Sequence, residues 1–232
     1  MIKLGIVGAM REEIETLVEK LTEVRQTKYA WSTYYEGKLE GLDVVVVQCG
    51  VGKVNAAMCV QTLCNCYQVT HVVNTGVAGS LSVELDIGDL VVSRDAMYHD
   101  FDCNYVGYPT GQVPGMDVIA FPADEKLMEC AFAAAEKVNP GHTKMGRVAS
   151  GDQFVASKEL KEKIIAVTGA LCTEMEGAAI AQTAYRNGGP FVILRAISDK
   201  ADDSAEMDYP TFEKIAAHRC AAVTMEFARS LK

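Results

Sequence analysis

The chain predicts a single α/β domain of three layers, with a mixed, mostly parallel central sheet between helices. Two observations carry this. Short β-branched, apolar runs alternate along the sequence with segments of helical period. Polar and glycine-containing residues gather just after the ends of those runs, where α/β sheets bind ligands. No internal repeat, low-complexity tract or linker interrupts the pattern, so residues 1–232 are expected to form one domain.

Lys3 to Val7 reads as a strand ending at Gly8-Ala9-Met10, after which Ile14, Leu17, Val18 and Leu21 fall on one helical face. At about 100° per residue, Glu13 lies beside that stripe while Glu12 points away. Glu13 is thus the acidic residue of this helix most able to face a cleft, although a first-turn carboxylate complementing the helix dipole is the commoner fate. Tyr34 to Leu39 and Asp43 to Gln48 read as a hairpin turning at Glu40-Gly41. Cys49-Gly50-Val51-Gly52-Lys53 then leads into a helix from Val54 to Cys64. Its spacing departs from a Gly-x-x-x-x-Gly-Lys-Ser/Thr phosphate loop, so it reads as a tight turn that lets backbone approach a ligand.

His71 to Ser80 is a buried strand entering a glycine-rich turn, and Asp89 to Ser93 is a further strand. Tyr98 to Phe121 has no period; a loop that long tends to be functional or ordered by a partner. Asp124 caps an alanine-rich helix to Val138, and Lys144 to Ala149 is a strand ending in Ser150-Gly151-Asp152-Gln153-Phe154-Val155. Phe154 follows a turn, and reads as a core aromatic or a stacking platform for a flat ligand. Ser157 caps a short charged helix. Cys172 to Met175 reads as extended, followed by a small-residue helix that stops at Asn187-Gly188-Gly189-Pro190.

Glu174 and Glu176 flank Met175, and two carboxylates at a buried strand end are costly unless they bind something. They read equally as a sugar-hydroxyl clamp or as carboxylates at a helix N-terminus. Phe191 to Ile197 is apolar except for Arg195, whose charge needs a partner among Glu174, Glu176 and Glu13. That strand stops at Ser198-Asp199-Lys200. Thr211 to Lys232 is the last helix, with Phe212, Ile215, Ala216, Val223 and Phe227 as its core face.

Composition narrows the function. The net charge of −9, from 22 basic and 31 acidic residues, comes without a basic cluster, which argues against nucleic acid as a partner. No run approaches the roughly 18 to 20 apolar residues of a membrane span, and the start enters a strand pattern rather than a signal peptide. The eight cysteines contain no Cys-x-x-Cys pair, and several fall in apolar context as in a reducing compartment, so the protein is expected in the cytoplasm. The four histidines lack metal-ligand spacing, and neither a metal nor another cofactor is expected.

Five motifs occur in one order: Gly8-Ala9-Met10-x-x-Glu13, Asn74-Thr75-Gly76-x-Ala78-Gly79, Ser150-Gly151-Asp152-x-Phe154, Glu174-Met175-Glu176 and Arg195-x-x-Ser198-Asp199. The ordered set resembles the 5′-methylthioadenosine/S-adenosylhomocysteine nucleosidases of the purine nucleoside phosphorylase superfamily, over nearly the whole chain. The resemblance implies a nucleoside phosphorylase-like fold, a homodimer, and hydrolysis of the N-glycosidic bond of 5′-thioadenosines to adenine and a 5-thioribose. Roles in methionine salvage and quorum sensing go with it. Carried over by position, Glu13 activates water and Asp199 protonates N7 of the base, oriented by Ser198. Phe154 stacks on the adenine, the Val155 backbone bonds its edge, Glu176 binds the ribose hydroxyls and Met175 packs on the sugar. Arg195 sits among these carboxylates, and Met10, Val51, Val77, Glu174 and Tyr209 complete the substrate site. Residues 98–115 match a loop that crosses the dimer to cover the 5′ group, with Cys103, Val106 and Pro114 as contacts.

The chemistry suits these residue types independently of the resemblance. Breaking a C–N bond to adenine builds negative charge on the base and oxocarbenium character on the sugar, so the site needs an acid at one end and a base or anion at the other. The chain departs from the family at Val77, where many members carry a serine that helps hold the water. Phosphorylase relatives carry an arginine at the Asn74 position and a hydroxyl at the Val77 position, both directed at phosphate, so water is the expected nucleophile. A phosphorylase, a nucleosidase for a futalosine derivative, and a non-catalytic nucleoside sensor are the other readings.

Overall fold

The alternating apolar runs become ten strands. The computed structural model describes residues 1–232. In order they form β1 (Lys3–Gly8), α1 (Arg11–Glu19), β2 (Thr22–Tyr29), β3 (Ser32–Leu39), β4 (Leu42–Gln48), α2 (Lys53–Tyr67), β5 (His71–Ser80) and β6 (Leu90–Tyr98). There follow β7 (Phe121–Pro122), α3 (Glu125–Val138), β8 (Thr143–Ser150), α4 (Lys158–Thr168), β9 (Cys172–Glu174), α5 (Gly177–Arg186), β10 (Phe191–Asp199) and α6 (Ala205–Ser230).

The strands make one mixed sheet in the order β10-β6-β8-β9-β5-β1-β4-β3-β2, with β7 added to β6. Because β10 also pairs with β5, the strands β5, β10, β6, β8 and β9 close into a ring, from which β1, β4, β3 and β2 extend as a flange. Parallel pairing joins β4 to β1, β1 to β5, β5 to β10, β6 to β8 and β8 to β9. Antiparallel pairs close the ring at β10–β6 and β5–β9 and build the flange hairpins.

Period-2 alternation sends successive residues to opposite faces. Leu4, Ile6, Val44 and Val46 join the core under α1, α3 and α6, whereas Val7, Val45 and Val47 join the core under α2 and α5. The sheet is therefore covered by helices on both faces. No helix is long and apolar enough to cross a membrane. The β3–β4 hairpin turns at Glu40 and Gly41, both at positive φ, as a two-residue turn matched to strand twist requires.

Three elements depart from the sequence expectation. Strand β2 was not signalled, because all eight of its residues are exposed and it carries no apolar alternation; its pairing to β3 alone makes it a strand. Strand β6 runs on to Tyr98, past the expected end at Ser93. Helix α6 starts at Ala205 and runs through Pro210, its first turn tied down by Ser204, whose Oγ lies 2.6 Å from Asp208 Oδ2 and 2.9 Å from Asp202 Oδ1 and can donate its one proton to either. Of the expected core face of α6, Ala216, Val223 and Phe227 are buried, joined by Ala217 and Cys220, whereas Phe212 is only partly buried and Ile215 is 57% exposed. Small side chains let α6 lie close on β5 and β10, which an apolar stripe of larger residues would prevent.

The caps at Asp124 and Ser157 form as expected, with Asp124 Oδ1 accepting from Leu127 N at 3.0 Å. Asp124→Ala is predicted to lower stability by about 1 kcal/mol, read from the urea midpoint, with turnover unchanged because α3 lies away from the cleft described below.

Candidate active site

One end of the sheet, where β1, β5, β9 and β10 terminate, opens into a cleft with a mixed apolar and polar lining. Met10, Glu13, Val51, Val77, Phe154, Val155, Glu174, Met175, Glu176, Ser198, Asp199 and Tyr209 all line it. Arg195 is fully buried behind its wall. Cys103, Val106 and Pro114 lie outside this cleft, on the irregular segment after β6, where Val106 is exposed in a single turn, Asn104–Val106.

Glu13 is placed by the sharp step from β1 into α1. Its Oε2 accepts from Ala9 N at 2.6 Å and Met10 N at 3.0 Å, and its Oε1 from Val77 N at 3.0 Å. Glycine is required at position 76, since a Cβ there would collide with Glu13 Oε1 and Arg195 Nη1. Burial raises the pKa of Glu13, while Arg195 and the three backbone donors pull it back down.

Arg195 projects from the middle of β10 and donates through Nη2 to Glu174 Oε2 and to Asn74 Oδ1, the latter at 2.5 Å. Glu176 Oε2 lies 3.8 Å from the same nitrogen. Burial works against this charge, and Glu174, Glu13 and Glu176 together keep it protonated. Asn74 spends its other group on Val7 O at 2.9 Å, so neither of its polar groups is free for an anion in the cleft, and Arg195, whose Nε has no partner, is fully buried.

The two glutamates at and just after the end of β9 divide the readings that their spacing left open. Glu174 holds Arg195, accepts from Ser150 Oγ, and takes the Gly177 N–H at 2.7 Å at the start of α5. It is the carboxylate at the helix N-terminus. Glu176 Oε1 accepts only from Gly52 N, at 2.9 Å, and its carboxylate faces the cleft. Gly52 supplies that donor with φ at 100°, the close backbone approach expected of the Gly-x-Gly turn. Burial and then the charge of Glu174 push Glu176 up to about 8, against Arg195 and the Gly52 N–H.

Asp199 ends β10. Its Oδ1 accepts from Ala201 N at 2.8 Å and its Oδ2 from Ser198 Oγ at 2.9 Å. Gly79 leaves the room: a Cβ there would stand 2.7 Å from Asp199 Oδ1. Burial raises the pKa of Asp199, opposed by those two donors and reinforced by Asp208 and Asp202. Glu13 stands over Gly76 and Asp199 over Gly79, three residues apart on β5 and hence roughly 10 Å along the strand. Phe154, 50% exposed, meets the Tyr209 ring edge-on at 5.3 Å, and the Tyr209 hydroxyl contacts Met10 Sδ at 3.2 Å. Val155 is buried with no hydrogen bond to its backbone.

Sequence reasoning passed over Ser150, which links Glu174 to the Ala178 N–H at 2.7 Å, and the pairing of Asn74 with Arg195. Both sit at strand positions whose partners are more than 20 residues away, so no local spacing signals them.

The fold agrees with that of known proteins. The family model described as "Phosphorylase superfamily" matches residues 3–229, and the chain belongs to that superfamily. A 5′-methylthioadenosine/S-adenosylhomocysteine nucleosidase of Staphylococcus aureus (strain MRSA252) is 41% identical over 215 residues, covering 92% of this chain and 93% of its own. The crystal structure of the enzyme of that name from Neisseria meningitidis, in complex with methylthio-immucillin-A, superposes with a TM-score of 0.96 at 37% identity, covering 99% of this chain and 100% of that one. A futalosine hydrolase of Helicobacter pylori superposes with a TM-score of 0.93 at 33% identity, covering 97% of each chain. Within the superfamily, the chain falls in the family of 5′-methylthioadenosine/S-adenosylhomocysteine nucleosidases.

The raised pKa of Glu176 carries a stability prediction. The folded protein holds a proton on Glu176 up to about pH 8 that the unfolded chain releases near 4.5, so this residue costs stability progressively as pH rises through that window. Glu176→Gln is therefore predicted to melt higher than the parent in the ligand-free state at pH 8, with the difference shrinking towards pH 5, in thermal unfolding followed by circular dichroism.

Proposed function

We propose that the chain hydrolyses the N-glycosidic bond of 5′-thioadenosines, releasing adenine and a 5-substituted ribose, with residues 1–232 acting as one nucleosidase domain. Methylthioadenosine, S-adenosylhomocysteine and 5′-deoxyadenosine are the proposed substrates. The observation that carries the reading is the pair Glu13 and Asp199, two buried carboxyl groups lining one cleft, both raised by burial but with different charged neighbours. Glu13 faces a guanidinium and three N–H donors, which favour its anion. Asp199 has no cation beside it and two further aspartates nearby, which favour its proton. Such a separation lets one carboxyl act as base while the other acts as acid.

In this reading Glu13 takes a proton from water as the water attacks the anomeric carbon. Asp199 delivers its proton to N7 as the C–N bond breaks, so adenine leaves neutral, and Ser198 orients the acid. Phe154 stacks on the base, the free Val155 backbone bonds its edge, Glu176 accepts from the ribose hydroxyls and Met175 packs on the sugar. Val77 offers the water no hydroxyl, so the water rests on Glu13, itself fixed by the Val77 N–H. The commitment of both polar groups of Asn74 to Val7 and Arg195 supports water over phosphate as nucleophile.

The protein is further proposed to act as a cytoplasmic homodimer in which residues 98–115 reach the partner's cleft. Supporting this, Cys103, Val106 and Pro114 are absent from the cleft of their own chain, and Val51, Val54, Met58 and Tyr105 present exposed apolar surface. Eight unpaired cysteines suit a reducing compartment.

The deciding experiment is adenine release from methylthioadenosine with and without phosphate. Release indifferent to phosphate is expected; a requirement for phosphate would make the enzyme a phosphorylase, and release only from other 5′-substituted nucleosides would move it towards the futalosine hydrolases. Asp199→Asn and Glu13→Gln are each predicted to lower kcat by at least about 10²-fold. The kcat/KM profile should be bell-shaped, rising as Glu13 ionises and falling as Asp199 loses its proton. A profile without an alkaline limb would remove Asp199 as the acid.

A further inference from the structure

The turn Gly50-Val51-Gly52-Lys53 resembles a phosphate loop only in composition, and its lysine turns away from the cleft into a cluster of its own. Lys53 Nζ donates to Asp100 Oδ2 at 2.6 Å, lies 3.7 Å from Asp152 Oδ2, and stands 5.4 Å from the centre of the Tyr98 ring. Asp100 Oδ2 also accepts from Asp152 N at 2.9 Å, and Asp152 Oδ1 accepts from Lys53 N at 2.8 Å. Helix α2 has no cap from its own sequence, so its first N–H groups are met by two carboxylates from elsewhere: Glu176 on Gly52 N and Asp152 on Lys53 N.

Three segments distant in sequence thus meet at one cation. The first carries Gly52, the only hydrogen-bond donor to the Glu176 carboxylate. The second carries Asp152, two residues before Phe154. The third is the root of the segment 98–115. Asp152 is held at both backbone and side chain, which fixes the turn that presents Phe154. Gly151 must lack a side chain because a Cβ there would collide with His99, so the second and third segments are also in direct contact.

We propose that Lys53, Asp100 and Asp152 form a positioning cluster that joins the ribose-binding carboxylate, the base-stacking ring and the root of the 98–115 segment into one rigid unit, an inference that rests on the nucleosidase reading above. None of the three touches the reacting atoms. Lys53 neutralises two carboxylates that would otherwise repel each other across the turn, and removal of its side chain leaves only the backbone donors Gly52 N and Lys53 N to hold Glu176 and Asp152, against uncompensated repulsion between Asp100 and Asp152. Nucleoside binding weakens, while Glu13 and Asp199, held by other contacts, keep their chemistry.

The test is steady-state hydrolysis of methylthioadenosine by the full-length protein, its Lys53→Met, Lys53→Arg and Asp100→Asn variants, and the double variant Lys53→Met with Glu176→Gln. Lys53→Met and Asp100→Asn are expected to raise KM roughly tenfold with kcat within about threefold, and Lys53→Arg to recover most of the loss. In the double variant the effect of Lys53→Met should shrink to less than about threefold, because the carboxylate it positions is already gone. A lowered melting temperature with parental KM, or full additivity with Glu176→Gln, would overturn the cluster's role and leave only a structural ion pair. Absence of adenine release by the parent protein would instead overturn the nucleosidase reading, and the positioning role with it.

Discussion

The site depends on one buried guanidinium. A charge in the centre of an apolar strand is tolerated only when desolvation is offset by fixed opposite charge and by hydrogen bonds of good geometry. Arg195 meets that condition by drawing Glu174 from the end of β9, Asn74 from β5 and, at longer range, Glu176 and Glu13 around it. Four segments that share no local sequence are thereby brought to one point. Remove the guanidinium, and three carboxylates are left buried together without a counter-charge, which would protonate them or open the end of the sheet.

The second constraint is steric. Glu13 and Asp199 approach β5 so closely that the strand can carry no side chain at Gly76 or Gly79. A Cβ at either position would displace a carboxylate of the site, so glycine here serves packing rather than positive φ, since neither residue has it. The same strand pairs with β10 along this stretch, so its backbone fixes the spacing between the two carboxylates. The apolar sheet and its two helical layers supply the rigidity, and the polar groups that end the strands supply the chemistry.

Function also sets a cost. Glu176 is held where burial and Glu174 disfavour its charge, an arrangement unfavourable to stability and consistent with the ligand-binding role proposed for it. Asp199 is held against its ionised form by burial and nearby aspartates. Active sites commonly concentrate such groups, with the rest of the fold supplying the stability that they take away.

Much of this was legible in the sequence where the signal is local. The strand and helix periods, the caps at Asp124 and Ser157, the placement of Glu13 on the inner side of α1, and the need of Arg195 for a carboxylate all follow from residue type and spacing. What spacing could not supply was set by contacts between distant segments. Strand β2 exists only because β3 pairs with it, and the core face of α6 is chosen by how closely small residues fit against β5 and β10. The closure of the sheet through β10 and β5 decided that Glu174 would serve Arg195 while Glu176, two residues on, would face the cleft, and that Lys53 would meet Asp100 and Asp152. The sequence determined which groups carry charge and which segments end in them; the tertiary structure decided which charges cancel and which remain for a ligand, because the energy of a buried charge depends on neighbours that only folding assembles.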